Sequence, residues 1–162
     1  MEKLFLLDAY ALIYRAYYGF IKNPRINSKG ENTSAILGFV NTLEEILNKE
    51  NPQYIGVAFD PHGPTFRHDA FPDYKAQREE TPEGIRFAVP IIKDILKAYR
   101  IPVLEVNGYE ADDVIGTLAQ QSKSLDEIDT YMMTPDKDYG QLVGKNVRIY
   151  KPRFDGGFDI IG

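Results

Sequence analysis

Four short apolar runs alternate with longer stretches of helical periodicity, and this order constrains the fold more than any other feature of the chain. The runs are KLFLLD (3–8), QYIGVAFD (53–60), IPVLEV (101–106) and DTYMMT (129–134). Between them lie AYALIYRAYYGF, with Tyr10, Tyr14 and Tyr17 at helical spacing, and TSAILGFVNTLEEILNK (33–49), which sets Ile36, Phe39, Val40, Leu43, Ile46 and Leu47 on one face. EGIRFAVPIIKDILKAYR (83–100) reads as a further helix, with a kink or restart expected at Pro90, and YEADDVIGTLA (109–119) opens another. Such alternation predicts an α/β fold with a mostly parallel central sheet and helices on both faces. Past the fourth run a short helix is expected from about Asp136. VRIYK (147–151) should pair with FDII (158–161) across the Asp155-Gly156-Gly157 turn.

Length and composition fit this reading, since 162 residues with 43% hydrophobic content suffice for a single domain over 1–162 with a real core. With no cysteine, a disulfide framework and any cysteine-based zinc or redox site are excluded, and two histidines leave little else for zinc. Asp8 and Arg15 interrupt the apolar N-terminus, which is therefore neither a signal peptide nor a membrane span, and a cytoplasmic location is expected.

The acids follow the strands. Asp8 ends the first run, Asp60 ends the second, and Asp136 and Asp138 lie just past the fourth. The third leads through the Asn107-Gly108 turn to a helix carrying Glu110, Asp112 and Asp113 at its start. An acidic first turn is also what any helix gains from its own dipole and exposed N–H groups, and for these three residues alone that is reason enough. Sites of open parallel sheets, however, form at the carboxyl ends of the strands, so all seven acids should converge on one rim. Carboxylates crowded there repel one another and call for cations, and oxygen-only ligands suit Mg²⁺ or Mn²⁺. Two such ions about 4 Å apart would clamp a phosphate for in-line transfer. On this reading, replacing Asp8 or Asp113 by Ala should weaken metal binding while leaving the fold as stable or more so.

The net charge of −5 at first opposes a polyanionic partner. With the seven rim acids set aside, 17 acids remain against 19 Lys and Arg, and the balance becomes slightly basic. Residues 60–86 lack clear periodicity and interleave Phe66, Phe71 and Tyr74 with Arg67, His68, Lys75 and Arg78. Aromatics between cations suit single-stranded or frayed nucleic acid, and a solvated loop with a few buried aromatics accounts for them equally well.

Taken in order, LLDAYALIYRAYYG, TSAILGF, VAFDPHGPTFRHDAFPDYKAQR, GYEADDVIGTLA, TPDKDYGQL and YKPRFDGGFDIIG cover essentially the whole chain. Together they resemble the N-terminal 5′ nuclease domains of bacterial DNA polymerases I, within the flap endonuclease family. The resemblance implies a PIN-like fold and a structure-selective 5′-3′ exonuclease or flap endonuclease with a two-ion Mg²⁺ or Mn²⁺ site. Such an enzyme hydrolyses phosphodiesters of DNA or RNA primers in replication and repair. The implied partners are DNA with a 5′ flap or nick, an RNA primer on DNA, and the polymerase portion of the same polypeptide. No membrane is implied, and the expected protein is a monomer associated with the nucleoid.

Residue by residue, the resemblance puts the metal ligands on Asp8, Asp60, Glu110, Asp112, Asp113, Asp136 and Asp138, the seven reached from the strand ends. It puts a flexible arch at about 61–90, with Lys75 and Arg78 catalytic, and nucleic-acid contacts at Arg15, Arg67, Tyr74, Lys75 and Arg78. A surface ion pair is the other reading of Arg15. The family's domain continues into a helix-hairpin-helix-type region that grips duplex DNA, so the chain is expected to be a fragment ending before it. A PIN-type ribonuclease would share the sheet and the acids, but FRHDAFPDYKAQR and TPDKDYGQL favour the flap endonuclease branch. A truncated module that binds metal or DNA without turnover is the remaining alternative. A haloacid-dehalogenase-type phosphatase needs a second Asp two positions after the first, where Tyr10 stands.

Overall fold

The computed structural model describes residues 2–61, 81–133, 143–144, 146–152 and 158–161. Its strands are β1 (Glu2–Asp8), β2 (Tyr54–Ala58), β3 (Val103–Leu104), β4 (Ile128–Met133), β5 (Val147–Pro152) and β6 (Phe158–Ile161). Four helices are seen among the described residues: α1 (Ala9–Gly19), α2 (Ser34–Glu50), α3 (Glu83–Ala98) and α4 (Ala111–Ser122). The sheet order is β3-β2-β1-β4-β5-β6, parallel throughout except for the antiparallel β5–β6 pair. The expected β5–β6 pairing is therefore present, while its turn lies outside the described residues.

β1 is central because both of its faces are apolar, as a parallel strand covered on two sides requires. With side chains alternating along each strand, Phe5 and Leu7 of β1, Val57 of β2, Tyr131 and Met133 of β4 and Tyr150 of β5 join one core with α1, α2 and α3. Leu6, Ala58, Met132, Val147 and Ile149 face the other way and pack against Ala111, Ile115 and Ala119 of α4. Helices thus cover both faces, three on one side and one on the other. On the three-helix side α2 crosses α1 at backbone contact, since a Cβ at Gly38 would lie 2.4 Å from that of Ala16.

Two expectations change. The restart expected at Pro90 does not occur: α3 runs through it, and Pro90 is exposed, which puts its missing N–H on the solvent side of the helix. The third strand is shorter than 101–106. The Ile101 N–H donates to the Leu96 carbonyl at 2.9 Å, which ties residue 101 to the end of α3, and Arg100 takes a left-handed φ of 62° to allow it. Beyond Leu104 the chain leaves the sheet for a turn closed by the Tyr109 N–H on the Val106 carbonyl at 3.1 Å, with Gly108 at φ 86°.

The register aligns the strand ends. Asp8 pairs with Ala58, two residues before Asp60, and Leu7 pairs with Met133, so β1, β2 and β4 reach the same rim together.

At the opposite end, Asn146 closes α4. Its side-chain amide donates to the carbonyls of Ser122 (3.3 Å), Leu125 (3.2 Å) and Ile128 (3.2 Å), while its own carbonyl accepts the Thr130 N–H at 2.8 Å. The Thr130 hydroxyl in turn donates to Ser122 Oγ at 2.7 Å, and Asn146, Ser122 and Thr130 are all buried. Asn146→Ala removes these three bonds while the Ser122 and Leu125 carbonyls keep the N–H groups of Leu125 (2.9 Å) and Ile128 (3.1 Å), so it should destabilise the protein by about 1–2 kcal/mol, roughly 2–8 °C in Tm. Thermal denaturation followed by circular dichroism checks this.

Candidate metal centre

Asp8 is both the last residue of β1 and the N-cap of α1. Extended backbone at φ −85° and ψ 108° lets its Oδ1 accept the Ala11 N–H at 3.2 Å. Burial pushes its carboxyl up to about 7 against that bond, and the nearby carboxylates of Asp60 and Asp112 add to the rise. Asp60, just past β2, and Asp112, on α4, therefore both lie within electrostatic reach of Asp8.

Asp60 reaches across the rim. Its Oδ1 accepts the N–H of Ala111, the first residue of α4, at 2.6 Å. This bond couples the end of β2 to the helix that bears the other acids. Asp113 Oδ2 accepts the Glu110 N–H at 2.9 Å, closing a capping box at the start of α4. Asp112 Oδ1 is fully shielded from solvent. Asp113 thus has a structural duty that its charge alone does not reveal. Replacing it by Ala gives up a cap, at a cost of about 1 kcal/mol, and Asp8→Ala gives up the α1 cap in the same way, so at both positions that loss opposes any gain from relieved repulsion.

The donors gathered here are carboxylates only, the chemistry that hard cations such as Mg²⁺, Mn²⁺ or Ca²⁺ prefer. Among the described residues no group of three or more Asp, Glu or His side chains closes around a single ion position. Asp136 and Asp138, which the sequence places just past β4, lie outside the described residues. So do Arg67, Tyr74, Lys75 and Arg78. Of the expected arch at 61–90, residues 83–90 are the first two turns of α3, and 62–80 lie outside the described residues. Arg15 stands exposed on α1, two turns beyond Asp8.

Three residues near the rim were not singled out as site residues by sequence. Tyr10 is driven up to about 12 by burial first and then by Asp60 and Glu105, and its ring meets Phe59 edge-on at 5.8 Å. Lys93 Nζ of α3 sits 3.1 Å from Glu105 Oε1 and 5.0 Å from the centre of the Phe59 ring. Periodicity placed Tyr10 on a helix. Lys93 and Glu105, twelve positions apart on different elements, leave no sequence signal of their pairing.

Asp8 also makes stability depend on pH. A carboxyl that titrates at about 7 folded and at an ordinary 3.8 unfolded supports the fold fully below about pH 4 and loses that support as pH rises to 7. In metal-free buffer the stability of the protein should fall across this interval by an amount on the order of 2–4 kcal/mol. Asp8→Asn, which can still cap α1, should abolish most of the decline. Urea denaturation at pH 5 and at pH 7.5 measures both.

The family model for the 5'-3' exonuclease, N-terminal resolvase-like domain matches residues 3–160. The chain is 42% identical over 159 residues to a 5'-3' exonuclease of Aquifex aeolicus, covering 98% of this chain and 54% of that protein. It is 41% identical over 154 residues to DNA polymerase I of Treponema pallidum, covering 95% of this chain and 15% of that protein. The chain thus spans about half of the exonuclease and under a fifth of the polymerase. Among solved structures, bacteriophage T5 5'-exonuclease with bound zinc superposes at a TM-score of 0.64 and 21% identity, over 93% of this chain and 55% of that one. The catalytic core of Rad2 in complex with DNA substrate superposes at 0.56 and 18% identity, over 99% and 47%. The fold is that of these nucleases, and by sequence the chain belongs to the family of 5'-3' exonuclease N-terminal resolvase-like domains.

Proposed function

We propose that this chain is the core of a divalent-metal-dependent, structure-selective 5′-3′ exonuclease or flap endonuclease. The observation that carries the reading is the Asp60–Ala111 bond, which ties a strand-end carboxylate beside Asp8 to the acid-bearing start of α4 in a chain of this family. Asp8, Asp60, Glu110, Asp112, Asp113, Asp136 and Asp138 would hold Mg²⁺ or Mn²⁺ in a two-ion site. The solved relative with zinc bound supports the ions, and the one with DNA substrate supports the ligand class. When bound, the ions supply Lewis acidity at the scissile phosphate and acidify a water.

The chain's own residues do the rest. Backbone N–H groups hold Asp8, Asp60 and Asp113 in fixed rotamers, so the ligand set is oriented before an ion arrives. Lys75 and Arg78 would offset the charge that develops on the phosphate oxygens. Arg15, Arg67 and Tyr74 contact the strand, cations on phosphates and the aromatic ring on a base. The substrate is DNA with a 5′ flap or nick, or an RNA primer on DNA, and the setting is replication and repair beside a polymerase portion of the same polypeptide. Residues 1–162 act as one domain, monomeric and cytoplasmic at the nucleoid, with the main duplex grip in the part of the relatives that this chain does not span. No helix among the described residues is long and apolar enough to cross a membrane.

A 5′-flap duplex and a single-stranded RNA of the same sequence, each incubated with protein and Mg²⁺ or Mn²⁺, test the proposal. Cleavage at the flap, abolished by chelation, is the expected result. Cleavage confined to the RNA would make the protein a PIN-type ribonuclease, and Mn²⁺ binding with neither substrate cut would make it a module without turnover. Lys75→Ala should lower the cleavage rate about 100- to 1,000-fold while changing DNA affinity by less than about threefold, because it acts on the transition state. Single-turnover cleavage and fluorescence anisotropy separate the two effects.

A further inference from the structure

Parallel strands call for cover on both faces, and on the α4 side that cover stops short of one edge. Ala111, Ile115 and Ala119 of α4 pack over the middle of the sheet, while β3 and the start of β2, parallel at that edge, have no second helix on this face among the described residues. Two adjoining grooves of about 690 and 480 Å³ lie there and share Leu104, Leu118 and Gln121. They form one trough beside α4, whose 12 residues span about 18 Å.

The trough is apolar. Tyr54, Val103, Val106 and Leu125 line it, each 37–50% exposed, and its charged residues are Glu105 and Asp113 at the rim end and Arg100 at the other. A nucleic-acid strand would meet two acids and no cation among the residues lining the rim end, so it does not suit the trough. A small ligand needs convergent polar groups, and the Thr117 hydroxyl is already given to the Asp113 carbonyl at 2.9 Å. A helix with one apolar face suits the whole surface. The acids at the rim end favour its N-terminus, and Arg100 favours its C-terminus.

The relatives supply the source of such a helix. This chain spans about half of the Aquifex aeolicus exonuclease and about half of the T5 5'-exonuclease, so a comparable length of each packs outside the matched part. We propose that the trough is the docking face for an amphipathic helix of about 12 residues from the half of the nuclease domain that this chain does not span, with its N-terminus toward the rim. The inference rests on the proposed reading in which the domain continues beyond this chain. Such a helix closes the sheet on its bare edge and flanks α4 along its length.

Thiol labelling reads the trough directly, because the chain has no cysteine of its own. Val106→Cys and Leu125→Cys, at exposed positions, should react readily with a maleimide in residues 1–162 alone. In the same polypeptide extended through the rest of the nuclease domain, with labelled sites mapped by mass spectrometry, both rates should fall at least about 10-fold. The rate at Tyr99→Cys, exposed at the end of α3, should change by less than about twofold. Equal rates at both trough positions in the short and extended forms would overturn the inference. Labelling of the short form that slows as its own concentration rises would also overturn it, by giving the trough to a second copy. Protected thiols in an extended protein that cuts no flap would uphold the docking and remove the nuclease reading, so the two failures are distinct.

Discussion

Carboxylates brought to one rim repel each other, and three backbone N–H groups hold them there. Ala11 binds Asp8, Ala111 binds Asp60 and Glu110 binds Asp113, and each donor lies at the start of a helix, where N–H groups have no partner within the helix. The arrangement serves both sides, since the helix starts gain acceptors and the acids gain fixed directions. It depends in turn on β1, whose burial on two faces and register with β2 and β4 set Asp8 and Asp60 at the same height. Burial first, with the Asp60 and Asp112 carboxylates adding to it, holds the Asp8 carboxyl up to about 7.

The sheet is covered unevenly, and the unevenness bears on the site. Among the described residues, three helices and most of the large buried side chains lie on one face. On the other face a single helix, α4, carries the acids and is fastened at its far end by Asn146. Its near end follows a two-residue edge strand and is bonded to Asp60 through the Ala111 N–H.

Much of this was legible in the sequence because parallel α/β folds obey strong rules. Buried strands read as continuous apolar runs, amphipathic helices betray their inner faces, and the carboxyl ends of strands collect functional groups. Asp8 and Asp60 could be placed together from those rules without coordinates. The length of β3 could not, because whether Ile101 joins the ladder depends on the end of α3 taking its N–H. The capping duty of Asp113 was hidden for a related reason: an acid in a first turn serves the helix and an ion equally, and only its partner atom decides. Asn146, Lys93 and Glu105 were invisible, since their partners are brought by the fold from separate elements. Asp136, Asp138 and the cations between Arg67 and Arg78 lie outside the described residues, and their roles rest on the resemblance.

In the proposed site a divalent ion would replace a proton among these acids. Calorimetric titration of Mn²⁺ at pH 7 in buffers of different ionisation enthalpy counts the protons released per ion bound. With Asp8 titrating at about 7, binding should release roughly half a proton at this pH, and the release should fade above about pH 8.5. Mn²⁺ binding with no proton release at pH 7 would place the ion away from Asp8 and contradict the account.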